Sequence, residues 1–288
     1  MTYLVLASVL WSFSFGLINR QLVGLDPAFT AFARLLVAML CCLPFLRWRA
    51  LPMRMRGALA ATGVVQYGLM YLFYMRAFVY LEGHEIALLT VTTPLLVVLI
   101  DDARRRRVSG LNLAAALLAT LGCVYLRVEG RLTMPALQGI VLVQLANGCF
   151  ALGQVAYREL LGPVAPADAP AAQWRRDVAV SGLLYGGAAL VAGAAAVTTG
   201  GIADLWRLSW TQAAALLYLG TIPAGLAFLL WNMGARRVRG GVLACMNNLK
   251  IPLAVAVAVI VFGETAAWSR VAVAFAALSL AVWVVRRR

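Results

Sequence analysis

Lys250 is the only lysine among 25 basic residues, and it lies within the apolar run GGVLACMNNLKIPLAVAVAVIVFGE. Counted from Gly240 it is ten residues into that run. That is roughly 15 Å at a helical rise of about 1.5 Å per residue, half of an about 30 Å hydrocarbon core. A cation at that depth costs about 2.5–3.5 kcal/mol on insertion scales and is a functional candidate by default. A structural ion pair would need a carboxylate at the same depth. Every Asp and Glu falls instead near the end of an apolar run or in a loop: Glu82, Glu85, Glu129 and Glu264 towards one side, Asp101, Asp102 and Glu159 towards the other. The chemistry left to Lys250 is to offer its ammonium to an anionic group in a cavity. Asn247, three residues earlier and so on the same helical face, would add a hydrogen bond. Two residues after the lysine, Pro252 frees the carbonyl of Asn248; Pro94 does the same to Thr90. Freed carbonyls at membrane depth must face protein or water, so both prolines are candidate hinges beside a polar cavity.

Two other cations lie inside apolar runs. Arg34 sits about two turns from the end of its segment and either hydrogen-bonds to helix ends or shares the substrate path. Arg76 is close enough to an end to snorkel to water. Tyr67, Tyr71, Tyr74 and Phe78 are spaced four, three and four apart, which places them on one helical face. Such a stripe either packs the core or forms an aromatic wall for an amphipathic ligand. Trp11, Ser12, Gln66, Gln144, Asn147, Trp231 and Asn232 are further candidate lining groups. His84, between two glutamates, reads as an exposed loop residue.

The elements that must position these groups follow from composition. The 288 residues are 63% hydrophobic and 12% charged, with a mean hydropathy of +0.87. Soluble domains are about 45–50% apolar and about 25% charged, so the chain reads as an all-α integral membrane protein. Breaks at charged and Gly/Pro-rich stretches predict ten transmembrane helices at roughly 3–20, 28–47, 57–80, 85–101, 109–127, 134–157, 178–198, 211–233, 240–262 and 268–285. The N-terminal MTYLVLASVLWSFSFGL lacks a basic leader region and is the first of them. LLGPVAPADAPAAQWRRD is the one candidate linker, and Gly182 and Gly186 make a GxxxG step suited to close helix packing. The five cysteines lie in apolar runs with no ligand spacing, so no metal and no cofactor is expected.

Ten spans place Arg47, Arg49, Arg54, Arg56, Arg104 to Arg107, Arg158, Arg175, Arg176, Arg236, Arg237, Arg239 and Arg286 to Arg288 on one side. Only Arg20, Arg127, Arg131, Arg207 and Arg270 fall on the other. The positive-inside rule then puts both termini in the cytoplasm, and membrane orientation accounts for the net charge of +14 without any nucleic-acid partner. The chain also reads as doubled. A shift of 158 residues sets Pro94 on Pro252 and Gly83 on Gly241. Residues 1–130 and 131–288 would be two five-helix copies, and an odd helix count inverts the second in the membrane. Inverted repeats of this kind characterise transporters, with the substrate site at the repeat interface.

Several stretches resemble EamA-type proteins of the drug/metabolite transporter superfamily. LWSFSFGLINRQLVGLDPAFTAFARLLVAML is similar to the first two helices of that family, with Arg34 as the arginine of the second. ALLTVTTPLLVVLI resembles the fourth helix with its proline. IPLAVAVAVIVFGETAAWSRVAVAFAALSLAVWV resembles the ninth and tenth, with Gly263 and Glu264 between them. The pattern is most similar to the YddG-type amino-acid exporters. Two departures stand out: DDARRRR replaces the Gly-Glu expected after the fourth helix, and alanines replace glycines in the tenth. The resemblance implies a secondary transporter, and export is implied by it alone.

No GxxxxGK[ST] loop is present, which argues against ATP drive. The cation-rich, acid-poor interior points to a carboxylate-bearing small molecule carried through the lipid bilayer by alternating access across a bacterial inner membrane. A neutral or aromatic amino acid fits that description. Phosphorylated sugars, nucleotide-sugars or drugs are alternatives for the same architecture, and a membrane enzyme or scaffold is the alternative from another class. The oligomeric state is left open by the sequence.

Overall fold

The structure, a computed structural model, describes residues 2–104, 133–162 and 170–238. It also describes isolated positions at 106, 114, 246, 249–251, 253, 257, 260, 261, 269, 272, 273, 276, 280 and 283. The predicted helix at 109–127, apart from position 114, lies outside the described residues, as do Asn247 and Pro252; 240–262 and 268–285 are represented only by the isolated positions.

Among the described residues there are helices and no strands, and seven helices are long and apolar enough to cross a membrane. They are α1 (Thr2–Gln21), α2 (Pro27–Phe45), α3 (Met53–Ala77), α4 (Glu85–Arg104), α5 (Met134–Leu161), α6 (Pro170–Thr198) and α7 (Trp210–Ala235). Their starts are set by local chemistry. The Asp26 carboxylate caps α2 by accepting from the Phe29 amide at 2.9 Å, with Pro27 opening the helix. Thr133 caps α5, and Ser209 with Gln212 forms a capping box at α7. Helices α5 and α6 end where Gly162 and Gly200 take positive φ.

Leu6, Val9, Leu40, Val141, Leu152 and Leu190 point outwards, an apolar exterior suited to lipid chains. Trp206 and Trp210 stand exposed at one end of the bundle, as interfacial tryptophans do. Inside, α1 lies on α7, α2 on α6 and α7, α3 on α5 and α6, and α4 on α5.

Three sequence expectations change. The linker shortens, because α5 continues to Leu161 and α6 already begins at Pro170. Asp177, expected in that loop, is therefore two turns inside a helix and fully buried. The GxxxG step is not the closest helix contact: a side chain at Gly182 or Gly186 would meet only flexible side chains at 3.2 Å or beyond. The tight approach is one residue on. A Cβ on Gly187 would stand 2.3 Å from the Ala60 carbonyl oxygen, and one on Gly63 would stand 1.9 Å from that of Leu184. Gly187→Ala is expected to push α3 from α6 and lower stability by about 1–3 kcal/mol, while Gly186→Ala stays within about 0.5 kcal/mol. Thermal unfolding in detergent compares the two.

Both α3 and α7 are interrupted by a π-helical stretch, at Val64–Leu69 and Gly220–Ala227. π-helical turns leave the i→i+4 ladder and are frequent at functional sites. In α7 the stretch contains Pro223, and the carbonyls there find side-chain donors: Trp11 Nε1 donates to Pro223 O at 3.0 Å, and the Tyr185 hydroxyl donates to Ala224 O.

Candidate functional site

A cavity of about 70 Å³ lies between α1, α2, α3, α4, α5, α7 and Lys250. Its walls are aromatic: Trp11 and Phe15 from α1, Tyr71 and Tyr74 from α3, Phe150 from α5 and Phe228 from α7. Its polar groups are Ser14, Arg34, Thr90, Thr93, Asn147 and Lys250. Mostly apolar with a few convergent polar groups, its lining has the character of a small-molecule site.

Two cations line it, with no counter-charge among the described residues. Arg34 is 1% exposed. Its guanidinium lies 4.5 Å from the centre of the Tyr71 ring, Nη2 donates to the Tyr71 hydroxyl at 3.2 Å, and Nη1 donates to Met75 Sδ at 3.5 Å. Its Nε has no partner. Lys250 is 7% exposed, with Nζ 5.4 Å from the Trp11 ring centre. No carboxylate among the described residues pairs with either. Buried charge is stabilised only by pairing or by hydrogen bonds, and an anion in this cavity would supply the pairing that the described residues do not. The Ser14 hydroxyl is a further buried group on this wall without a partner.

Trp11 is held on several sides. Besides its bond to Pro223 O, its ring meets Phe228 at 4.8 Å and Trp231 at 5.1 Å. It therefore carries Lys250 on a rigid aromatic platform, and cation–π contacts of this kind are worth about 0.5–2 kcal/mol. Trp11→Leu, which removes both the indole N–H and the π-face, is expected to destabilise the protein by about 2–4 kcal/mol; Trp11→Phe, which keeps a ring, is expected to cost less. Melting temperatures of the two variants test this order.

The polar end is built where α4 is broken. A 3₁₀ turn at Thr90–Thr92 directly precedes Thr93 and Pro94. The Thr90 carbonyl accepts from the Thr93 hydroxyl at 2.7 Å. The Leu89 carbonyl accepts from Asn147 Nδ2 at 2.9 Å, Asn147 Nδ2 also reaches the Thr92 hydroxyl at 2.9 Å, and that hydroxyl donates to Gln144 at 2.6 Å. Helix α5 thus supplies donors to the Leu89 carbonyl beside the break in α4, while the Thr90 carbonyl is served from within α4.

Of the residues singled out from sequence, the structure brings Lys250, Arg34, Trp11, Tyr71, Tyr74 and Asn147 to this cavity. It does not bring Tyr67, Gln66, Asn232, Trp231 or Ser12 to the lining. The Tyr stripe divides because Tyr67 lies in the π-helical stretch, whose wider turns break the four–three–four spacing. Tyr67 instead stacks on Tyr185 at 5.0 Å and accepts from Asn232 Nδ2 at 2.8 Å. Gln66 Nε2 donates to Asn232 Oδ1 at 3.3 Å, so Gln66, Tyr67 and Asn232 form a buried knot between α3 and α7. Trp231 is fully buried behind Trp11, and the Ser12 hydroxyl is spent on the Val9 carbonyl at 2.7 Å. Phe15, Ser14, Thr93, Phe150 and Phe228 line the cavity without having been singled out, and Thr90 was named only for its carbonyl. Thr93 directly precedes Pro94 in LLTVTTPLL and was recognisable there as a local partner for the freed Thr90 carbonyl.

The model of the EamA-like transporter family matches residues 1–128. A protein of Pseudomonas aeruginosa named probable biotin transporter is 37% identical over 289 residues, covering 99% of this chain and 97% of its own. The chain belongs to the EamA-like transporter family. Proteins named biotin transporter from Salmonella typhimurium and Escherichia coli K12 are 33% and 32% identical, each match covering 100% of this chain and 93% of the relative. A crystal structure superposes with a TM-score of 0.64 at 18% identity, over 99% of this chain and 95% of that one, and shares the fold. This EamA-family chain is a multi-pass membrane protein and a transporter of small molecules.

Proposed function

We propose that this EamA-family protein carries biotin, or a monocarboxylate of the same build, across the inner membrane of a bacterium. The observation that carries the reading is the pair of uncompensated cations, Lys250 and Arg34, in one aromatic cavity. Biotin is a monoanion with a neutral bicyclic head, and full-length similarity to proteins named biotin transporter supports that class. Lys250 and Arg34 take the carboxylate, Trp11, Tyr71, Tyr74, Phe150 and Phe228 pack against the apolar parts, and Asn147, Thr90 and Thr93 supply hydrogen bonds to the ureido group. Neutral or aromatic amino-acid export is the second reading. The same cations serve an α-carboxylate, and the hydroxyls of Ser14, Thr90 and Thr93 offer acceptors to an ammonium, but the two cations oppose that ammonium.

The transport cycle is alternating access by two inverted five-helix repeats, residues 1–130 and 131–288. Supporting this division, a shift of 158 residues carries α3 from 53–77 onto 211–235, the span of α7 within one residue, and its π-helical stretch from 64–69 onto 222–227. The arginine distribution supports cytoplasmic termini.

Radiolabelled biotin and radiolabelled aromatic amino acids are offered to proteoliposomes holding the purified protein. Saturable biotin uptake, competed by excess biotin and poorly by its methyl ester, is expected. No biotin uptake alongside uptake of an amino acid overturns the first reading in favour of the second.

A further inference from the structure

A second, larger hollow opens at the end of the bundle where α1 meets α2. It has a volume of about 620 Å³ and is lined by Ile18, Leu22, Thr30, Met75, Phe78 and Asp204, among others. Its floor and the roof of the cation-bearing cavity share two stretches of helix. On α1, Ile18 faces the vestibule and Phe15, three residues earlier, faces the cavity. On α3, Met75 and Phe78 face the vestibule, and Tyr71 and Tyr74, four residues earlier in each case, face the cavity. One helical turn, about 5.4 Å, therefore separates the two spaces along each helix. The layer is closed by contacts within it: Phe15 meets Tyr74 at 6.1 Å and Tyr74 meets Phe78 at 5.2 Å. Ile18 and Met75 are 5% and 3% exposed.

The layer is tethered from below. Arg34 lines the cavity, yet its Nη1 donates to the sulfur of Met75, on the vestibule side. A thioether is a weak acceptor, so this bond is a poor use of a buried guanidinium. We propose that Met75, with Ile18 and Phe78, is a gate between the vestibule and the cavity, held shut by Arg34. A carboxylate reaching Arg34 is a far stronger acceptor and takes Nη1 from the sulfur, which unties Met75 while the anion is held. Met75 thus acts through Arg34 as a positioning residue and makes passage depend on an anionic group. The anion step rests on the function proposed above; the barrier itself does not.

The test needs no substrate. In a background with all five cysteines replaced, Val23→Cys reports the vestibule, where Val23 is 71% exposed. Ser14→Cys reports the cavity. A membrane-impermeant methanethiosulfonate is applied to sealed vesicles in whichever orientation labels Val23→Cys. Ser14→Cys is expected to react at least about 100-fold more slowly, and Met75→Ala or Ile18→Ala to accelerate it about tenfold by shifting the gate towards open. Met75→Leu, which fills the same volume, is expected to keep the barrier closer to the parent. Equal labelling of Ser14→Cys and Val23→Cys in the parent overturns the gate. So does a rate unmoved by both alanine variants in monodisperse protein; if neither variant folds, the parent ratio decides. Absence of biotin uptake with this labelling pattern intact counts against the substrate and leaves the barrier standing.

Discussion

Lys250→Met is expected to weaken biotin binding by roughly 30- to 1000-fold and, in the same protein, to raise the melting temperature of the empty transporter by a few degrees. The two effects have one cause. A methionine keeps the length and apolar stem of the side chain and removes its charge. With substrate bound, that loss leaves a buried carboxylate short of one of its two cations, a truncation that costs about 2–4 kcal/mol in buried charge pairs. Without substrate, the ammonium has no carboxylate among the described residues and only the Trp11 ring for company. Its burial is then a net cost, which the substitution removes. Lys250→Arg, which keeps the charge in a bulkier form, is expected to bind better than the methionine variant without its gain in stability. Titration of labelled biotin onto purified protein and thermal unfolding with and without biotin measure both halves. Unchanged affinity in a folded Lys250→Met protein sinks the assignment of this lysine to the substrate. Lost affinity without any gain in empty-state stability would mean that the ammonium has a partner in the empty protein.

The legible part of the site was its charge. A lysine or an arginine within twenty apolar residues is conspicuous whatever the fold, and Lys250 and Arg34 do line one cavity. The aromatic wall was only half legible. Period 3.6 puts Tyr67, Tyr71 and Tyr74 on one face, but the π-helical stretch at Val64–Leu69 removes Tyr67 from it, and an i→i+5 turn leaves no mark in the pattern of apolar residues. Phe15, Phe150 and Phe228 were invisible for another reason: in an all-apolar helix no periodicity distinguishes the face towards a cavity from the face towards lipid. The helices were easier, since length and hydropathy locate spans in a membrane protein. The boundary that failed was the start of α6, where PAAQWRRD reads as loop by composition. Its arginines are exposed and its Gln173 and Asp177 are buried, so the segment is an amphipathic first stretch of a membrane helix. That misreading hid the buried carboxylate.

Breaking the pair formed by that carboxylate is expected to be the most destabilising change of charge in the described structure. Asp177 is fully buried on α6 and accepts from Arg236 Nη1 at 2.9 and 3.2 Å and from the Tyr157 hydroxyl. Arg236 in turn donates through Nε to the Gly162 carbonyl at 2.8 Å and through Nη2 to that of Leu161 at 3.0 Å. One cluster thus ties the end of α5, the first turns of α6 and the end of α7. Gln173 strengthens the same junction by donating to the Met233 carbonyl at 3.0 Å and accepting from Arg237. Asp177→Leu alone leaves a buried guanidinium without its anion, and Arg236→Met alone leaves a buried carboxylate without its counter-charge and two helix-end carbonyls without the guanidinium's donors. Each is expected to cost about 3–5 kcal/mol. The double variant strands neither charge, so it is expected to lose less than the sum of the two by at least about 2 kcal/mol, most of its deficit being the unpaired carbonyls. Unfolding of the four proteins in one detergent closes the cycle; additive losses would show that the ions do not stabilise each other. None of these residues lines the cavity. Biotin affinity should therefore survive in whatever fraction of Asp177→Leu remains folded. The two buried cation sites respond in opposite directions: neutralising Lys250 exchanges binding for stability, and neutralising Arg236 loses stability with binding kept. A transporter that holds an anion as proposed, loosely in one place, and its helix ends tightly in another needs that division.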